Sequence, residues 1–177
     1  MDFLQPMVLP VEVRAAQRRG PVDFYLPDQS ARPQPAVLFI HGGPIPAGLR
    51  PTPRDWPIYS GGGPLSADWL REPPEWLRCV ALTYPLLAPL PGWPQDPRFL
   101  PVEAVAHAAG LAIVLTRVGL EQPQVAEGVG AFVAAAGTRL EIIEVPLGHH
   151  GFDHLDDDDD SRAAITRAVD LVLATLR

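Results

Sequence analysis

The segment AVLFIHGG, residues 36–43, decides the fold of this chain. Its first five residues form an uninterrupted apolar run, which is typical of a strand buried on both faces of a parallel sheet. Gly42 and Gly43 then end the run, and glycine lets the backbone turn sharply after a strand. We therefore predict a core strand over residues 36–40 that is followed by a tight loop.

Three further apolar runs indicate core strands, and they lie at residues 77–84, 111–118 and 140–145. An antiparallel hairpin is expected before them, with strands over residues 8–15 and 22–26 and a turn at residues 18–20. Helices are predicted between and after the strands, over residues 60–70, 102–109, 124–136 and 162–176. This order predicts one domain over residues 1–177, a three-layer α/β/α sandwich with a mostly parallel sheet.

Composition excludes several classes of function. The net charge is −7 and the sequence pI is about 5.1, so the chain lacks the clustered basic face that nucleic-acid binding requires. Cys79 is the only cysteine, which excludes an intrachain disulfide and a cysteine-based zinc site. Residues 1–10 lack the basic start of a signal peptide, and no apolar run is long enough to cross a membrane. We expect a cytoplasmic protein with no nucleic-acid or membrane partner.

Ser60 is the serine whose surroundings fit a nucleophile. It lies in Tyr59-Ser60-Gly61-Gly62-Gly63 ahead of a predicted helix, which is half of the nucleophile elbow, where small neighbours relieve the crowding of a strained turn. Ile58 stands where that motif has its leading glycine, and Pro57 interrupts the preceding strand. A glycine-rich connection with an ordinary serine is the alternative interpretation.

His150 lies between the last predicted strand and the last helix, in the segment GHHGFD at residues 148–153. This segment resembles the G-x-H-G-F stretch of dienelactone-hydrolase-like proteins, a branch of the α/β-hydrolases that includes small esterases. The resemblance makes His150 the catalytic histidine and His149 the variable position before it. A pair of histidines in a surface loop is the alternative.

The resemblance also implies an acidic residue after the strand at residues 111–118, because this fold orders its triad as serine, acid and histidine. Glu121 occupies that place and would orient the imidazole of His150 and stabilise its charged form. A second interpretation is that Glu121 only interacts favourably with the dipole of the following helix.

Backbone N–H groups at Gly42, Gly43 and Gly61 would form the oxyanion hole, since the strand-ending H-G-G resembles the esterase oxyanion motif. The resemblance thus implies a serine hydrolase that cleaves a small ester or lactone through Ser60, Glu121 and His150, with no metal and no cofactor.

The resemblance breaks between His41 and Ser60. Only 18 residues separate them, whereas the family places two strand–helix units there, and each such unit needs about 30 residues. The fourth and fifth strands are therefore expected to be missing, and the fifth normally carries the nucleophile. The third and sixth strands could then become neighbours in the sheet.

Three other hypotheses stay open. The chain could be an inactive remnant or interaction module, and a sheet edge exposed by the missing strands would then favour a homodimer. It could bind calcium or zinc through His149, His150, His154 and residues 156–160, although those aspartates are more typical of a solvated helix cap. Cys79, within an apolar strand, could be a nucleophile, but a core position is the simpler interpretation.

Overall fold

The protein is described by a computed structural model over residues 17–20, 22–24, 63–92 and 95–176. Several predicted features lie outside these residues: the strands at residues 8–15 and 36–40, the His41-Gly42-Gly43 motif, the loop at residues 44–57, and Ser60 with Gly61. The described residues begin with an antiparallel hairpin, in which β1 (Gln17–Arg19) pairs with β2 (Val22–Phe24). The hairpin was predicted, but the prediction that Arg18 and Arg19 form its turn was wrong. Both belong to β1, because a two-residue connection at residues 20–21 is enough to reverse the chain.

A three-stranded parallel sheet forms the centre of the described fold. Its strands are β3 (Cys79–Thr83), β4 (Ala112–Leu120) and β5 (Leu140–His149), in the order β3-β4-β5. All three were predicted from their apolar runs. β4 is the central strand, and its apolar residues 113–115 are buried on both faces, as is typical of an interior parallel strand.

Helices cover both faces of this sheet. Successive side chains of a strand point to opposite faces, so Ile113 and Leu115 of β4 face one layer while Val114 and Val118 face the other. The first layer contains α1 (Ala67–Arg71), α2 (Pro101–Ala104) and α3 (Pro123–Ala135). The second contains α4 (Phe152–Leu155) and α5 (Asp159–Ala174). The described residues therefore have an α/β architecture with a parallel sheet between helices.

Three 3-10 turns join these elements, at Pro64–Ser66, Pro97–Phe99 and Val105–His107. The last of them corrects the predicted helix over residues 102–109, since α2 ends at Ala104 and tightens into a 3-10 turn, as is frequent at helix ends. α5 begins at Asp159 rather than Arg162, because Asp158 caps it by accepting a hydrogen bond from the backbone N–H of Ser161.

No helix in the described ranges combines the length and apolar character that a membrane span requires.

Candidate active site

Three side chains meet at the carboxyl edge of the parallel sheet. Tyr84 directly follows β3, Glu121 directly follows β4, and His150 directly follows β5. Because the strands are parallel and adjacent, the residues that follow them share one rim of the sheet, where open α/β sheets place their ligand sites.

His150 and Glu121 form a close pair at this rim. Nδ1 of His150 lies 2.6 Å from Oε2 of Glu121. A carboxylate can only accept, so the imidazole donates from Nδ1, and in the neutral ring the lone pair then lies on Nε2. Nε2 has no hydrogen-bond partner among the described residues. An imidazole in this tautomer is arranged to accept a proton at Nε2.

Glu121 is fixed through both of its carboxylate oxygens. Oε1 accepts a hydrogen bond of 2.8 Å from the backbone N–H of Gln122, while Oε2 faces His150. Gln122 is the N-cap residue of α3, whose first helical residue is Pro123. The start of α3 therefore sets the direction in which the carboxylate points, and the dipole interpretation of Glu121 is compatible with its contact with His150.

Two glycines allow β4 and β5 to approach each other just before this pair. A methyl group added at Gly119 would overlap the carbonyl oxygen of Pro146. One added at Gly148 would lie 3.2 Å from a methyl carbon of Val118 in β4, and 2.6 Å from one of Val145 in its own strand. The register between the strands shifts in the same place, between Val118 and Leu120. The small residues thus permit the local irregularity that precedes Glu121 and His150.

Tyr84 borders His150 on another side. Its ring lies edge-on to the imidazole with a centroid distance of 4.9 Å, and its hydroxyl donates a 2.7 Å hydrogen bond to Oδ1 of Asp153. Burial raises the pKa of the Tyr84 hydroxyl well above its ordinary range, and the hydrogen bond to Asp153 raises it further. Tyr84 also has a φ of +37°, which non-glycine residues rarely adopt.

His149 forms a second pair with a carboxylate. Nδ1 of His149 lies 2.8 Å from Oδ1 of Asp156, and its backbone N–H donates to Oδ2 at 2.7 Å. Asp156 therefore binds the end of β5 instead of capping α5, so the prediction of a helix cap holds for Asp158 but was wrong for Asp156.

A shallow depression adjoins Glu121. Its volume is about 120 Å³, and its walls come from the ends of β3 and β4 and from α3. Its lining residues are Tyr84, Arg117, Val118, Glu121, Ala126 and Val129. The lining is largely apolar, and Arg117 within it pairs with Glu144 through both carboxylate oxygens.

The structure brings together two of the predicted site residues, Glu121 and His150. The predicted nucleophile Ser60 and the predicted oxyanion donors Gly42, Gly43 and Gly61 lie outside the described residues.

The other predicted groups lie elsewhere. Cys79 is the first residue of β3 and lies at the amino end of the strands, away from the rim that carries His150. Burial raises the pKa of its thiol. Within the described ranges, no three His, Cys, Asp or Glu side chains are grouped as metal ligands.

Sequence reasoning missed the contact between Tyr84 and the ring of His150, and the hydrogen bond from Tyr84 to Asp153. Tyr84 was treated only as the end of a strand, and Asp153 only as part of the histidine segment. The available signal was weak: a tyrosine directly after a buried parallel strand, at the rim where the other strands present their site residues.

Comparison of the chain with protein-family models, with curated proteins and with solved structures finds no match in any of the three.

Proposed function

We propose that this chain is an abridged α/β-hydrolase that acts as a serine hydrolase on a small ester or lactone. The observation that carries the proposal is the 2.6 Å contact between Nδ1 of His150 and Glu121, with Nε2 left to accept a proton. In a serine hydrolase, an acid at Nδ1 holds the tautomer and stabilises the imidazolium that forms during reaction. The pair also follows the chain order of acid and then histidine that the fold uses.

The proposed mechanism has two halves. Ser60 Oγ attacks the ester carbonyl while its proton passes to Nε2 of His150, and backbone N–H groups of Gly42, Gly43 and Gly61 hold the oxyanion. The imidazolium then protonates the departing alkoxide, which leaves an acyl group on Ser60. Water attacks this acyl group with His150 again accepting the proton, and the acid product is released.

The sheet order supports the proposed relation to α/β-hydrolases. β3, β4 and β5 are parallel and adjacent, with the acid after β4 and the histidine after β5. In the proposal these are the sixth, seventh and eighth strands of the family.

The test is reaction with a fluorophosphonate probe, in which serine Oγ displaces fluoride and forms a stable bond to phosphorus. We expect one label per chain in the wild type, located on Ser60 by peptide mass spectrometry, and no label in Ser60→Ala. Ser30→Ala is the matched control and should label as the wild type does. Full labelling of Ser60→Ala would remove Ser60 from the mechanism. An unlabelled wild type that also fails to turn over small esters would favour the inactive remnant instead.

A further inference from the structure

Tyr84 belongs to a closed set of contacts around the His150 ring. Its ring meets the imidazole at an interplanar angle of 62°, and it also meets Phe152 with a centroid distance of 5.7 Å. Its hydroxyl binds Asp153. We propose that Tyr84 is a positioning residue, which sets the tilt of the His150 imidazole and so the direction in which Nε2 points. The inference rests on the proposed function and deepens it.

Glu121 alone cannot fix the orientation of His150. The hydrogen bond at Nδ1 restrains one distance, whereas the side chain turns about two bonds, Cα–Cβ and Cβ–Cγ, so the imidazole can still tilt while Nδ1 stays close to Oε2. Such a tilt moves Nε2, which is the atom that must accept the proton. A second contact on the ring limits this tilt, and the packing of the Tyr84 ring against the imidazole provides such a contact. A shift of about 1 Å in a reacting group can cost about 100-fold in rate, so the tilt matters.

Tyr84 is itself held firmly enough for this role. Phe152 is fully buried and supports one side of the tyrosine ring, while Asp153 anchors the hydroxyl at the far end. The backbone N–H of Tyr84 donates to the carbonyl of Thr116 at 2.8 Å, which ties the residue to β4.

The backbone of Tyr84 points to the same conclusion. A φ of +37° for a tyrosine is strained, and such strain persists only where the surroundings enforce it, most often at functional sites.

The residues that contact Tyr84 are close together in the sequence. Phe152 and Asp153 lie two and three residues after His150, and Gly151, between His150 and Phe152, adopts a left-handed φ of +88° that turns the chain into α4. Tyr84 therefore contacts the segment immediately after His150 as well as the imidazole ring itself. Because the pKa of its hydroxyl is raised, Tyr84 keeps its proton and its hydrogen bond to Asp153 to a higher pH than an ordinary tyrosine would.

The first experiment measures the position of the imidazole and needs no turnover. Nuclear magnetic resonance of the wild type should show a nuclear Overhauser effect between the ring protons of Tyr84 and those of His150, with His150→Gln assigning the histidine signals. Tyr84→Leu should shift the His150 signals, because the ring current of tyrosine is lost. Phe132→Leu is the control, since it removes a fully buried ring elsewhere in the core and should leave these signals unchanged. Absence of the Overhauser effect in the wild type would overturn the inference even if Tyr84→Leu failed to fold.

The second experiment separates positioning from simple destabilisation by kinetics on a small nitrophenyl ester. Tyr84→Leu should lower kcat by up to about 100-fold with little change in KM, whereas Phe132→Leu should change neither at a temperature where it stays folded. Tyr84→Phe keeps the ring and should restore most of kcat and the wild-type His150 signals. If Tyr84→Leu retained the wild-type kcat, Tyr84 would not be a positioning residue. If the wild type were inert while the Overhauser effect and signal shift appeared, the proposed function would fail and the contact alone would stand.

Discussion

Two consecutive histidines each place Nδ1 beside a carboxylate, yet the two pairs differ in how they arise. Asp156 lies seven residues after His149, just past α4, whereas Glu121 lies 29 residues before His150, directly after β4. The side chains of His149 and Asp156 are 56% and 13% exposed, and those of His150 and Glu121 are 37% and 6% exposed. The first pair is a local contact near solvent, while the second requires β4 and β5 to be in register.

The difference teaches which pair depends on the fold. A local pair can form wherever the loop closes, but the Glu121–His150 pair exists only when two strands, two glycines and the start of α3 are all in place. Its acid is also the more buried, and electrostatic interactions are stronger where water is excluded. The proposed chemistry is therefore expected to depend on His150 and Glu121, and not on their neighbours His149 and Asp156.

The largest effect on kcat is expected when each of the two histidines is replaced in turn. His150→Gln removes the proton acceptor and should lower kcat for a small ester by on the order of 10⁶-fold, as for removal of the base in a serine hydrolase. His149→Gln should leave kcat within a few-fold of the wild type, because its imidazole has no role in the mechanism. Initial rates with a nitrophenyl ester measure both. Equal losses in the two variants would mean that the adjacent pairs act together, contrary to the comparison.

Replacing the two acids should also affect kcat unequally, with the larger loss at Glu121, but by a smaller factor than replacing the histidines. Glu121→Gln keeps the shape of the side chain but no longer favours the N–H on Nδ1, so kcat should fall by on the order of 10⁴-fold. Asp156→Asn should leave kcat unchanged and cost only about 1 kcal/mol of stability, since its partner is largely exposed. Ester kinetics combined with urea unfolding distinguish these outcomes. A wild-type kcat in Glu121→Gln would show that the 2.6 Å contact has only a structural role.

The sheet and this pair were accessible to prediction for identifiable reasons. β4 is a central strand, so buried apolar residues occur at both parities and mark it in the sequence. Glu121 and His150 were matched through the family resemblance, which places the acid after the strand at residues 111–118 and the histidine after the last strand. Adjacent parallel strands then bring the residues that follow them to one rim of the sheet.

Other features depend on tertiary contacts that the pattern does not encode. β5 extends past Pro146 to His149, although the apolar run ends at Val145. Within the described sheet β5 is an edge strand, and proline is tolerated where its nitrogen need not donate to a neighbour. The positive φ of Tyr84 likewise has no signal in the sequence, because non-glycine residues rarely adopt it.

A third prediction concerns the close approach of β4 and β5, on which the Glu121–His150 pair depends and the His149–Asp156 pair does not. Gly119→Ala would drive a methyl group into the backbone of Pro146 and should lower the free energy of unfolding by about 1–3 kcal/mol, since overpacking forces the backbone apart. It should also separate Glu121 from His150 and reduce ester turnover.

Gly130→Ala is the matched control, because Gly130 lies in open space on α3 and alanine there should raise stability by up to about 1 kcal/mol. Urea unfolding of both variants measures the difference; a Gly119→Ala protein as stable as the wild type would show that β4 and β5 are further apart than described.

The smallest effect is expected from removing the hydroxyl that anchors Tyr84 beside His150. Tyr84→Phe should lower the free energy of unfolding by about 1 kcal/mol at neutral pH, because one hydrogen bond to Asp153 is lost.

The raised pKa of Tyr84 means that the folded protein holds this proton more tightly than the unfolded chain does. Its contribution to stability is therefore complete below the ordinary tyrosine pKa of 10.0, and it is lost as the pH rises above that value. The stability difference between wild type and Tyr84→Phe should thus shrink above pH 10. Thr138→Val, which removes a non-titrating hydrogen bond to the carbonyl of Leu111, should show a difference that does not change with pH. If the stability difference between wild type and Tyr84→Phe did not change with pH either, the hydroxyl would be exposed to solvent. It would then not help to hold Tyr84 beside His150.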